Sequence, residues 1–166
     1  MTRVYIPATL AMLQRFVADE SLWPPGGTAF AVTPALREAY LEGDDDELAE
    51  VALREAALAS LRLLATDTPD ELPPRRAVVV ADVDDVTSRP DLDAAVVRLA
   101  APVAITRVIA VFVDTADAEA DVVAARAVID AADLGDEDAE LLVGDAQDHD
   151  LAWYATQELP FLLDLL

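Results

Sequence analysis

The sequence predicts an α/β fold: a mixed sheet of about five strands, mostly parallel at its start, with helices packed around it. Three observations predict it. Short β-branched segments alternate with longer segments of helical periodicity, and such elements bury their apolar faces by layering helices on a sheet. Ala77-Val78-Val79-Val80-Ala81 is continuously apolar, as a central strand covered on both faces would be. The chain has 166 residues, 54% of them hydrophobic, enough for one core and a single domain over residues 1–166. An α+β arrangement is the alternative, because the last three strands come nearly in succession.

Val4-Tyr5-Ile6 opens as a strand. Pro7 ends it and Thr9 caps a helix to about residue 20, with Leu10, Leu13, Phe16 and Val17 on one face. Trp23-Pro24-Pro25-Gly26-Gly27 breaks the chain, and residues 28–32 form a second strand. Strand, helix and strand in this order suggest a right-handed parallel crossover. Thr33-Pro34 starts the next helix, a hydroxyl cap with proline at the first helical position. It ends at Gly43.

Asp44-Asp45-Asp46 suits the N-terminus of a longer helix over residues 47–65, whose broad apolar face suggests burial. Residues 66–74 form a polar connection to the central strand at 77–81. An acidic loop covers residues 82–93. Strands at 95–99 and 109–113 flank residues 102–107, which carry one helical turn. Asp114-Thr115 begins a helix with Ala118, Val122, Ala125 and Ile129 on one face. A short helix spans 136–143. Another runs from His149 to about residue 159, so that His149, Trp153 and Gln157 share one face and Asp150, Tyr154 and Glu158 the next. Pro160 interrupts the chain before the apolar run Phe161-Leu162-Leu163-Asp164-Leu165-Leu166, which could dock on its own domain or on a second subunit.

The formal net charge is −22, from 33 acidic and 11 basic residues. Every basic residue is arginine. The lack of lysine and asparagine fits a GC-rich bacterial genome better than a salt-loving one. Such charge repels nucleic-acid phosphates and anionic lipids, so neither nucleic acid nor membrane is an expected partner. It favours cations or a basic protein. With no cysteine, disulfides and thiolate metal sites are excluded. The N-terminus has no signal-peptide pattern and no apolar run is long enough to span a bilayer, so a cytoplasmic protein is expected.

Catalytic motifs are lacking. Gly26-Gly27 precedes a strand, whereas a phosphate loop needs a helix behind it. One histidine and three serines, Ser21, Ser60 and Ser88, make a hydrolytic triad implausible. No cofactor is expected. Asp82, Asp84 and Asp85 follow the strongest strand, where carboxylates can hold a divalent cation; they are weak metal candidates. Thr9, Thr33 and Asp82 would lie together beyond the carboxyl ends of parallel strands, the edge where open α/β sheets bind ligands. His149, with Tyr154 and Glu158, could serve as ligand or base. Helix capping and core packing are the plainer reading of most of these residues.

Three stretches carry a resemblance: Arg3-Val-Tyr-Ile-Pro-Ala-Thr9, Phe30-Ala-Val-Thr-Pro-Ala-Leu36 and Asp148-His-Asp-Leu-Ala-Trp-Tyr-Ala-Thr-Gln-Glu-Leu159. They resemble an uncharacterised family of small acidic actinobacterial proteins over nearly the full length. The resemblance implies an actinobacterial source and a stand-alone domain. It brings no activity, cofactor or catalytic residue. The expectation is therefore a non-catalytic cytosolic binding or regulatory protein working through contacts with a protein partner or with a second copy of itself. A metal-dependent enzyme using the aspartates and His149 is the alternative.

Overall fold

The computed structural model describes residues 1–66 and 72–166. Most of the expected 66–74 connection therefore lies outside the described residues. Seven strands form one sheet, in the order β5 (Val86–Ser88), β6 (Val96–Leu99), β3 (Thr28–Phe30), β1 (Thr2–Ala8), β4 (Ala77–Val83), β8 (Val108–Val113) and β9 (Ala152–Tyr154). A separate pair joins β2 (Ser21–Leu22) to β7 (Val103–Ala104). The helices are α1 (Leu10–Asp19), α2 (Pro34–Ala39), α3 (Asp45–Thr66), α4 (Glu119–Asp133), α5 (Glu137–Gln147) and α6 (Leu159–Asp164).

The mixed α/β fold stands, but the parallel start does not. β1 pairs antiparallel with both β3 and β4, as every neighbouring pair in the sheet does. Residues 20–27 supply the reason. Glu20 is left-handed at φ 59, Ser21 and Leu22 leave for the small sheet, and Gly26 and Gly27 both sit at φ 67. A crossover runs directly from helix to strand. This detour turns the chain again before β3.

β1 and β4 lie at the centre and alternate between two cores. Val4, Ile6, Val79 and Ala81 face one layer, with Leu10, Leu13 and Phe16 of α1 and Leu159, Leu162 and Leu163 of α6. Tyr5, Val78 and Val80 face the other, with Leu36 of α2 and Leu48, Ala52 and Ala56 of α3. α4 and α5 do not extend this layer across the sheet. They cluster through Val122, Ala125, Ile129 and Ala146 onto Leu61 of α3.

Ser60 of α3 joins helix to sheet. Its buried hydroxyl donates to the Ala8 carbonyl at 2.7 Å and accepts from the Ala77 N–H at 3.0 Å. It thereby satisfies backbone groups that burial would otherwise leave at a cost.

β1 continues through Pro7 to Ala8, the loop expected over 82–93 contains β5, and two expectations near the C-terminus also differ. The helix over 149–159 is instead β9 followed by a 3-10 turn at Thr156–Glu158. Ala152–Tyr154 pairs with Val111–Val113, giving both aromatic residues a pleated surface that suits them. Pro160 does not interrupt α6; it occupies the first turn, where its missing N–H costs nothing. Of the terminal run, Leu162 and Leu163 dock on the chain's own core beside Leu159, while Phe161 and Leu165 stay 72% and 84% exposed.

Candidate functional site

The sheet face carrying α3 is only partly covered. α3 packs over β1, β3 and β4. Beyond it, β8 and β9 present a strip of apolar side chains. Phe112 and Trp153 are direct cross-strand partners, so both point to this face. Trp153 is 58% exposed and Ile109 40% exposed.

A bulge produces the second of these. Val80 pairs with Ala110, but Ala81 pairs with Val108, leaving Ile109 as the extra residue of β8. A bulge re-aims the side chain it inserts. Here Ile109 and Ala110 line the same cavity.

That cavity has a volume of 270 Å³. Tyr5, Val80, Ala110 and Phe112 form its floor, and Asp46, Ala49, Glu50 and Leu53 of α3 form its wall. Burial raises the Tyr5 phenol above its ordinary value; Arg3 opposes this and Glu50 adds to it. The phenol therefore stays protonated at neutral pH. A smaller space of 30 Å³ shares Glu50 and Leu53 and continues past Ala57 to His149, Asp150 and Leu151. Together they make a shallow groove along one side of α3. Among the described residues, Asp46, Glu50 and Asp150 have no ion-pair partner. Arg3 is engaged by Asp82, with Nε 3.2 Å from Oδ1.

One end of the groove is closed by a polar cluster at the start of β4. Arg76 and Asp114 are 1% and 0% exposed. Arg76 donates from Nε and Nη2 to the two Asp114 carboxylate oxygens, each at 2.8 Å. It also donates to Gln147 Oε1 at 2.8 Å and to the His149 carbonyl at 3.0 Å. The backbone N–H of Arg76 donates to Asp114 as well. Sequence reasoning missed this pair. The signal was an arginine immediately before the central strand and an aspartate immediately after its neighbour, positions that antiparallel pairing brings side by side.

The candidate residues read from the sequence are dispersed. Thr9 accepts from Met12 N at 3.2 Å and caps α1. Thr33 accepts from Leu36 N at 3.1 Å, caps α2 and donates to the Ala94 carbonyl. Because β1 runs against β3 and β4, Thr9 lies at the opposite sheet edge from Thr33 and Asp82. The shared edge expected from a parallel start is absent. Asp82 binds Arg3 at one end of the groove. Asp84 pairs with Arg107 at 3.3 Å, and Asp85 is exposed.

His149 Nε2 lies 2.7 Å from Asp121 Oδ2 and borders the 30 Å³ space, room for little beyond water. Tyr154 points to the other core, away from His149. Glu158 accepts from the Ala155 N–H at 3.1 Å across the last turn. Among the described residues no group of three or more histidine, cysteine, aspartate or glutamate side chains could hold a metal ion. No helix among them is long and apolar enough to cross a membrane.

These features define a mixed α/β protein whose antiparallel sheet is layered by helices on both faces and left partly open over its last two strands. Residues 2–163 match the model of a family of unknown function, DUF6912, and the chain belongs to that family. No curated protein and no solved structure matches it.

Proposed function

We propose that this is a non-catalytic binding or regulatory protein that acts through protein–protein contacts, with the groove beside α3 as its contact face. One observation carries the reading. The strip over β8 and β9 exposes Ile109 and Trp153 next to Phe112, on the sheet face that α3 covers over β1, β3 and β4. Contiguous exposed apolar surface with a polar rim is characteristic of interaction sites, and tryptophan is enriched at binding hot spots. The net charge of −22 supports a protein partner over nucleic acid or an anionic membrane.

A photo-crosslinking side chain placed at Trp153 in cells tests this. The reading expects one dominant adduct, lost on Ile109→Asp. A pattern no different from that given by the same group at exposed Thr87, on the far edge of the sheet, would contradict it.

A further inference from the structure

The geometry and charge of the groove point to its occupant: we infer that it takes a basic amphipathic helix, laid beside α3 across β8 and β9. The inference rests on the reading of the groove as a contact face. Width is the first argument. Strands are spaced about 4.8 Å apart, so the edge strand β9 and β8, where Ala110 is buried and Phe112 half-buried, leave a strip of at most about 10 Å. A helix with its side chains is about 10–12 Å across and packs about 8–10 Å from its neighbour. One helix completes the layer that α3 leaves unfinished.

Length is the second. Asp46, Ala49, Glu50, Leu53 and Ala57 mark the wall of the groove along α3. From Asp46 to Ala57 the helix rises about 16 Å, or three turns. That matches an apolar stripe of about 11 residues on the partner, meeting Phe112, Ile109 and Trp153.

Charge is the third. Asp46, Glu50 and Asp150 stand on the rim without ion-pair partners among the described residues, Arg3 is held by Asp82, and Arg54, which donates to the Gln147 carbonyl, offsets one of the three carboxylates. The rim is therefore acidic on balance. A partner bearing arginine or lysine beside its apolar stripe complements it, and a partner bearing carboxylates is repelled. A second copy of this chain brings another −22 and is disfavoured on the same ground.

The test uses the full chain as Trp23→Phe, so that Trp153 is the one tryptophan. The probe is a helix-stapled peptide of about 12 residues, leucine at i, i+3, i+4 and i+7 with arginine flanking. A second peptide carries glutamate in place of arginine. The arginine peptide should shift Trp153 emission to the blue and saturate. Binding should weaken at least tenfold for the glutamate peptide and for the double variant Asp46→Arg, Glu50→Arg, whose folding is checked by circular dichroism.

Equal response to both peptides would overturn the basic-helix inference while leaving the contact face standing. A blue shift that grows with protein concentration alone would overturn it in favour of self-association. Arginine-peptide binding by calorimetry with Trp153 unmoved, and unaffected by Ile109→Asp, would overturn the contact face itself.

Discussion

Arg76 and Asp114 show how an acidic chain fixes its centre with one buried charge pair. Both are buried, and each has its hydrogen-bonding groups directed at the other or at Gln147 and His149. Removing one partner leaves the other charge buried and uncompensated. Asp114→Asn or Arg76→Met should cost about 3–5 kcal/mol, read by denaturant unfolding. Replacing both with apolar residues of similar volume should cost less than either alone. Glu55 works in the opposite sense. Burial, with Asp93 as a secondary cause, raises its carboxyl above the ordinary 4.5. Its contribution to stability is full below that value and is lost as pH rises through the higher folded value. Glu55→Gln should therefore raise the melting temperature at pH 7 and leave it unchanged near pH 3.5; the same gain at both would contradict this origin. At this scale the sequence was legible where chemistry is local. Thr9 and Thr33 were readable as caps because a hydroxyl before a helical repeat acts on its own next turn. The Arg76–Asp114 pair and the grouping of Tyr5, Ile109 and Phe112 were not, because strand order decides them.

Among the elements, α6 answers a question of docking. Its Leu159, Leu162 and Leu163 close the core against α1 and the sheet. Leu159→Ala should cost about 2–5 kcal/mol by the cavity it leaves, measured by thermal or chemical unfolding. A loss below 1 kcal/mol would mean the helix docks only loosely. Most helices and the central strand follow from periodicity and capping alone. The direction of β3 does not, because two glycines and a two-residue strand between α1 and β3 redirect the chain. β9 was missed for a related reason. Three residues carry too little pattern to tell a strand from a helical turn, and only the free edge of β8 decides the matter. The bulge at Ile109 is equally silent in sequence, since Val108 to Val113 reads as one apolar run.

For the whole molecule, acidity and coverage must be read together. Much of the negative charge sits at helix starts, where it complements the backbone dipole: Asp45, Asp46 and Glu47 on α3, Glu119 and Asp121 on α4, Glu137, Asp138 and Glu140 on α5. The charge on the groove rim acquires a different meaning only because uncovered apolar surface lies beside it. α4 and α5 stack on α3 instead of spreading across the sheet, and that choice leaves β8 and β9 open. The most direct measurement is amide chemical-shift mapping of the folded chain titrated with the arginine-bearing helical peptide. A basic helix seated in the groove gives one contiguous set of changes at Glu50, Leu53, Ala110, Phe112 and Trp153, fading as salt screens the rim. Changes confined to α4 and α5, or to the face closed by α1 and α6, would contradict it.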